Sequence, residues 1–385
     1  MKNLLITVFF LSLTLQLSAE TGGSNPVIVE KTTASLAEKT PVYWQKMADG
    51  MSQALIKHFW GANFKGYENR FYFNYGSDLS NMTTNHYWPQ AHAMDVMVDA
   101  YMRTGSKQYL NIYPLWWEGA PKFNFAGREE DPWWNVFVDD MEWIALAQIR
   151  MFESTKNTKY LKKARQTYDD WVWSTWGPED EAPWFIAARL YNFYDAMGKK
   201  AGKPKQAYLN EAIKIYTWEK NNLFDRQTGA VYDSMNGEGK ITKWVFSYNS
   251  GTFLGAAHEL YKITGDKQYL ADAVKAANFV IDHLSTNEGV LSDAEGGDGG
   301  LFHGIFFRYF VKLINDPALD SANYNKFRDY ITHCATVMAE QGVNQKTMLY
   351  SGRWRKAPAD DESVGLTSHL TGCMLMEAMC VLKHR

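Results

Sequence analysis

The sequence of 385 residues predicts an all-α fold, an (α/α)6 barrel built from about six helical hairpins. Helical periodicity of the apolar residues dominates from about residue 40 onward, whereas strand-like alternation is scarce. Similar segments recur at intervals of roughly 50 to 60 residues, a period typical of repeated supersecondary units. Two kinds of helix alternate, one apolar on nearly every side and one amphipathic, which predicts an inner and an outer layer.

The repeated segment opens a helix after a turn and carries a Tyr-Leu pair in its first turn. The clear copies hold Tyr109, Tyr160, Tyr208 and Tyr269 at this place, and Phe327 takes it in a fainter copy. A repeat of this length with two helices per unit is typical of a helical-hairpin array.

The helices between the repeats are more apolar and begin with aromatic or polar clusters. These predicted inner helices span residues 86–103, 136–154, 183–197, 248–263, 301–315 and 363–382. The helices at the repeats, with one more near 42–59, form the predicted outer layer. Six such hairpins favour a closed ring; the alternative is an open solenoid, which would require a polar cap at each end. The best strand candidate is a hairpin between Gly229 and Phe246, with its turn around Asn236 and Gly237.

The N-terminus predicts export. Residues 1–19 contain Lys2, an apolar run and a cleavage site near Ala19, the pattern of a secretory signal peptide. A membrane anchor is the weaker alternative, because the apolar run is short and broken by Thr and Ser. Residues 20–39 are interpreted as a mobile polar lead-in, and residues 40–385 as a single (α/α)6 domain. The expected location is the periplasm or the medium, without a membrane span in the mature protein.

Composition and charge bear on nucleic-acid binding, disulfides and metal sites. The net charge of −3 and the pI near 6.3 argue against a nucleic-acid partner. An exported chain with only three cysteines is expected to be held by its core rather than by disulfides. No zinc or redox motif is evident. The acidic glycine loop from Asp293 to Gly300 could hold a calcium ion, but it lacks the spacing of a calcium-binding helix-loop motif, so a flexible rim loop is the favoured interpretation. We expect a monomer without a cofactor.

Two adjacent aspartates, Asp139 and Asp140, interrupt an apolar and aromatic stretch that runs from Trp133 to Ala147. Charged groups are rarely buried unless they are paired or used in function. Neighbouring carboxylates repel each other, so one ionises easily while the other tends to keep its proton. An acid beside a base is what cleavage of a glycosidic bond requires. The alternatives are a buried helix cap and a structural ion pair.

The predicted ring places this pair on a rim. Parallel inner helices bring their N-termini to one end, where the helix dipole favours negative charge. Aromatic and polar residues cluster at these starts, which predicts a sugar-binding cleft. The candidates for stacking on sugar rings are Trp88, Trp134 and Tyr248, and those for binding hydroxyls are His86 and Asn249. The alternative for the aromatic residues is packing in the core.

Three segments of the chain, in this order, are FVDDMEWIALA, FSYNSGTFLGAAHELYKITGD and LFHGIFFRYF. By these segments, their order and their separation, the chain resembles glycoside hydrolase family 76, whose members are endo-α-1,6-mannanases with an (α/α)6 barrel. The resemblance spans nearly all of the mature chain. His303 stands before Gly-Ile-Phe where the family pattern has lysine, so it is a candidate for a subsite contact. Arg308 is a further candidate, although an ion pair that holds the inner helix is the favoured reading.

The resemblance implies hydrolysis of α-1,6-mannosidic bonds in mannan, in endo fashion and with retained anomeric configuration. It also implies the roles, with Asp139 as nucleophile and Asp140 as acid/base. Such a mechanism requires a separation of about 5–5.5 Å between the two carboxyl groups. It does not require a metal.

Other classes remain as alternatives. An epimerase on the same ring would require paired histidines, and an unsaturated-uronide hydrolase would require cationic groups near the inner-helix starts. A non-catalytic glycan-binding protein would retain the cleft without turnover.

Overall fold

The computed structural model describes residues 39–61, 68–72, 74–75, 87–124, 126–175, 184–197 and 203–385. The described residues from Lys39 to Arg385 belong to one compact unit. The predicted signal peptide and residues 20–38 of the predicted lead-in lie outside the described residues.

Helices follow one another along nearly all of the described chain. They are α1 Pro41–Phe59, α2 Tyr87–Thr104, α3 Lys107–Leu110, α4 Ile112–Gly119, α5 Val138–Thr155, α6 Thr158–Thr167, α7 Trp173–Thr175, α8 Trp184–Asn192, α9 Tyr194–Met197, α10 Lys205–Asn222, α11 Ser247–Thr264, α12 Lys267–Phe279, α13 Gly299–Ile314, α14 Ser321–Val337 and α15 Leu366–Val381. A 3₁₀ turn, Ala120–Phe123, follows α4, and π-helical turns extend α6, α12 and α14 over Tyr168–Val172, Val280–Leu284 and Met338–Gly342.

Six helices of the described residues close into an inner ring. Around it α2 contacts α5, α5 contacts α8, α8 contacts α11, α11 contacts α13, α13 contacts α15, and α15 returns to α2. This closure confirms the (α/α)6 barrel and excludes the open solenoid. Each inner helix has neighbours on several sides, which explains why its sequence is apolar nearly all round; in α15 every residue from Leu366 to Met379 is buried.

The tyrosine of the repeat has a packing role. In successive outer helices its ring contacts an aromatic ring of the preceding outer helix, at centroid distances of 5.2, 6.0 and 4.8 Å. The contacts join Tyr160 to Trp117, Tyr208 to Tyr168 and Tyr269 to Tyr216. Three copies of the repeat therefore place their tyrosine in the same kind of aromatic contact with the preceding outer helix.

A glycine lets two inner helices approach closely. A Cβ atom at Gly251 of α11 would lie 2.7 Å from the Cα of Phe306 in α13. Any side chain at Gly251 would push these two helices apart.

The strands in the described part of the chain are short, with two residues each. They are β1 Asn74–Tyr75, β2 Ser234–Met235, β3 Ile241–Thr242 and β4 Val364–Gly365. The predicted hairpin is confirmed, because β2 and β3 pair antiparallel with Ser234 opposite Thr242. β1 pairs with β4, so the chain is extended up to Gly365 and the last inner helix begins at Leu366 rather than at the predicted 363.

All three cysteines are free thiols. The part of the chain that the structure describes contains no helix with both the length and the apolar character needed to cross a membrane.

Candidate active site

The start of α5 is fixed by the asparagines that precede it. Asn135 accepts a hydrogen bond from the backbone N–H of Phe137 at 2.9 Å, and its own amide donates to Asn124, also at 2.9 Å. Phe137 has extended backbone angles and is the last residue before the helix. Asp139 and Asp140 therefore occupy the first turn of α5, at the end of the ring where the inner helices begin.

The two aspartates lie in different environments. Asp139 is half-buried, and its Oδ1 accepts the backbone N–H of Asp140 at 2.9 Å. Asp140 is only 9% exposed, and this burial, with the charges of Asp139 and then Asp298, raises its pKa from 3.8 to about 8. Asp140 therefore holds its proton at neutral pH, which is the protonation state of a general acid.

Asp298 is a third carboxylate at this rim, and it is not among the site residues predicted from the sequence. It directly precedes α13, and its Oδ1 accepts the indole N–H of Trp88 at 3.2 Å. Its position just before a predicted inner helix was the signal that could have identified it. The acidic glycine loop thus contributes a charge to the site. Among the described residues, no cluster of three or more His, Cys, Asp or Glu side chains is placed to hold a metal ion.

The predicted stacking residues lie at three of the inner-helix starts. Trp88 is half-buried, and its indole N–H donates to Asp298, the carboxylate whose charge acts on Asp140. Trp134 precedes α5, and the Arg128 guanidinium lies over its ring at 3.6 Å, so part of its surface is already covered. Tyr248 in α11 contacts the ring of Phe302 at 4.4 Å.

Asn249 acts as a helix cap. It is buried, and its Oδ1 accepts the backbone N–H of Phe246 at 3.0 Å, just before α11 begins. A backbone N–H at a helix start has no partner within the helix, so a side chain often supplies one. This oxygen of Asn249 is thus used at the helix start, and a contact of Asn249 with sugar hydroxyls stays a prediction.

His303 is held between two serines. Its Nε2 lies 3.0 Å from the carbonyl of Ser292, which can only accept, so this nitrogen carries the proton. Its Nδ1 then accepts from the Ser247 hydroxyl at 2.7 Å. Burial lowers the pKa of His303 to about 4, so the ring is neutral at neutral pH. Both ring nitrogens are therefore used within the protein, and a subsite contact of His303 stays a prediction that would involve the accessible part of its ring.

Arg308 binds other side chains of the barrel. It is buried about nine residues into α13, and its Nη1 pairs with Asp99 of α2 at 2.8 Å. Arg150 of α5 pairs with the same carboxylate. The structure thus contains the ion pair that the sequence favoured for Arg308, and its sugar-binding role stays a prediction. His86 lies outside the described residues.

A closed (α/α)6 barrel with a protonated carboxyl group beside a second aspartate on its rim defines a candidate glycoside hydrolase. Residues 184–385, more than half of the chain, match the family model of glycosyl hydrolase family 76. The chain belongs to this family. The matched residues begin after Asp139 and Asp140, so the match is independent of the pair.

Solved structures agree with this assignment. The α-1,6-mannanase of Salegentibacter sp. HEL1_6 is 29% identical, over 88% of this chain and 100% of that chain, with a TM-score of 0.74. An inactive variant of that mannanase, with two adjacent aspartates replaced by alanine and α-1,6-mannotetrose bound, is also 29% identical, over 88% of this chain and 99% of that chain, with a TM-score of 0.75. The Lin0763 protein of Listeria innocua is 26% identical, over 87% of this chain and 96% of that chain, with a TM-score of 0.75. A search of curated proteins found no match.

Proposed function

We propose that the protein is an exported, retaining endo-α-1,6-mannanase that uses Asp139 as nucleophile and Asp140 as acid/base. The observation that carries this proposal is the first turn of α5, where a buried carboxyl group with a raised pKa adjoins a half-buried one. The similar mannanase supports it, because the variant with two adjacent aspartates replaced is inactive.

The chemistry divides into two steps. In the first, Asp139 attacks the anomeric carbon while Asp140 gives its proton to the leaving glycosidic oxygen. In the second, ionised Asp140 takes a proton from water, which attacks the mannosyl-enzyme and frees Asp139. Asp139 lies in the first turn of α5, where the helix dipole favours negative charge. Burial raises the pKa of Asp140, so Asp140 carries the proton that the leaving oxygen receives.

The proposal extends to the substrate and the location. Trp88, Tyr248 and the accessible part of Trp134 would stack on mannosyl rings of a neutral chain. Export rests on the sequence of residues 1–19, and residues 40–385 would act as a single monomeric domain.

Product analysis tests the activity. The protein without residues 1–19 should release manno-oligosaccharides of several lengths from linear α-1,6-mannan, and proton NMR should show the α-anomer first. Cleavage of β-mannan or uronides instead would refute the assignment. Binding to α-1,6-mannan without products would favour the glycan-binding alternative.

The pH profile provides a second prediction. Because Asp140 must be protonated to act as the acid, kcat/KM should be high below the pKa of about 8 and fall as the pH rises through it. Asp298→Asn removes a nearby negative charge, so it should move this alkaline limb to lower pH. Initial rates on α-1,6-mannan between pH 5 and 10 measure both effects. An unchanged limb in Asp298→Asn would show that Asp298 does not influence the group that titrates.

A further inference from the structure

Exposed aromatic side chains mark one end of the barrel. Large hydrophobic side chains that are exposed among the described residues include two aromatic ones, Trp244 at 65% and Phe137 at 55%. Phe137 directly precedes α5, and Trp244 lies three residues before α11. Both are therefore at the end of the ring where the inner helices begin and where Asp139 and Asp140 lie.

The backbone of Trp244 is anchored although its indole is exposed. Its carbonyl accepts the backbone N–H of Asp233 at 3.0 Å, which continues the β2–β3 hairpin toward α11. The carboxylate of Asp233 accepts the Tyr248 hydroxyl at 3.1 Å and so ties the hairpin to the first turn of α11. An exposed indole forgoes the stabilisation that burial would give. A fixed backbone that holds such a group in solvent is suited to binding a ligand.

A row of rings connects Trp244 to the site. The ring of Trp244 lies 6.3 Å from that of Phe246, which lies 5.3 Å from that of Phe302. Phe246 and Phe302 are half-buried, so part of each ring is accessible. Phe302 is in the first turn of α13, the helix that Asp298 precedes, and Asp298 is near enough to Asp140 to raise its pKa. We call these three rings the aromatic row.

We infer that Trp244 and Phe246 form a distal sugar-binding subsite, which holds a mannosyl unit remote from the bond that is cleaved. The inference rests on the proposed function, because it assigns the row to the same substrate. A pyranose presents an apolar face of C–H groups, and a flat aromatic ring buries that face without requiring charge. The row runs from the first turn of α13 to Trp244, which precedes α11, so on this proposal only a chain that extends beyond the cleaved bond along Phe302 and Phe246 would contact Trp244. Binding energy from such a remote unit favours long substrates over short ones.

Kinetics on substrates of two lengths test this subsite. Trp244→Ala should raise KM for linear α-1,6-mannan roughly fivefold, equivalent to about 1 kcal/mol, and leave kcat/KM for α-1,6-mannotriose unchanged. Trp244→Phe keeps a ring and should recover most of the loss. Met102→Ala is the matched control, because Met102 is 60% exposed near the C-terminal end of α2 and should not respond.

Two outcomes would overturn the subsite while the proposed function stands. One is an unchanged KM for mannan in Trp244→Ala, and the other is an equal loss on mannan and mannotriose. Affinity gel electrophoresis in linear α-1,6-mannan separates the two proposals if the wild-type protein cleaves nothing. Weaker retardation of Trp244→Ala than of wild type would then support the subsite without the hydrolysis, and equal retardation would refute it.

Discussion

Asp139→Asn should lower kcat on linear α-1,6-mannan by a factor on the order of 10⁴ or more, the scale seen when a catalytic nucleophile is removed. An amide cannot attack the anomeric carbon, and no mannosyl-enzyme can form. The substitution is nearly isosteric, and asparagine can still accept the backbone N–H of Asp140 through its amide oxygen. The helix start should therefore persist, and circular dichroism should match that of the wild type. Initial rates of oligosaccharide release measure the loss.

The chain offers a matched control for this substitution. Asp169 and Asp170 form another adjacent pair, in the outer layer, and Asp170 is exposed. Asp170→Asn makes the same chemical change and should leave kcat unaltered. Azide added to Asp139→Gly should yield β-mannosyl azide, because azide would attack the face that Asp139 normally occupies. Near-full activity of Asp139→Asn would refute its role as nucleophile.

The fold was predictable because it follows from local periodicity. An inner helix is apolar on nearly every side, whereas an outer helix is amphipathic. This difference is visible in the residues of one or two helical turns. The start of α15 was wrong by three residues because β4 pairs with β1, which lies almost 300 residues earlier in the chain. Such pairing depends on the closure of the ring and leaves no local pattern.

The site was predictable in part for the same reason. Asp139 and Asp140 stand out because charge is rare in an apolar helix. Asp298 does not stand out, because its relation to Asp140 arises across the ring, where α13 lies opposite α5. Asn249 and His303 show a second reason why sequence predicts a site only in part. Polar side chains at helix starts satisfy backbone and neighbouring groups as readily as they bind ligands, and sequence does not distinguish the two uses.

Asp140→Asn should lower kcat on α-1,6-mannan by roughly 10² to 10⁴, the usual contribution of a general acid or base. The loss should depend on the leaving group. A 2,4-dinitrophenyl glycoside of α-1,6-mannobiose has a leaving group that departs without a proton, so its first step should remain fast. The second step still lacks its base, so the mannosyl-enzyme should accumulate. Stopped-flow absorbance should then show a burst of dinitrophenol followed by slow turnover, and equal losses on both substrates would contradict the acid role.

The stability of the same variant separates a catalytic effect from misfolding. The folded pKa of Asp140, about 8, lies above its ordinary value of 3.8, so between these values the native state binds more protons than the unfolded state. Wild-type stability contributed by this group is therefore present at low pH and falls as the pH rises through this window. Asparagine cannot ionise, so Asp140→Asn should lack that fall. We therefore expect the Tm of Asp140→Asn, measured by thermal unfolding at pH 5 and pH 8, to rise relative to that of the wild type at the higher pH. The reason is that Asp140 of the unfolded wild-type chain is ionised in this range, which favours unfolding of the wild type only.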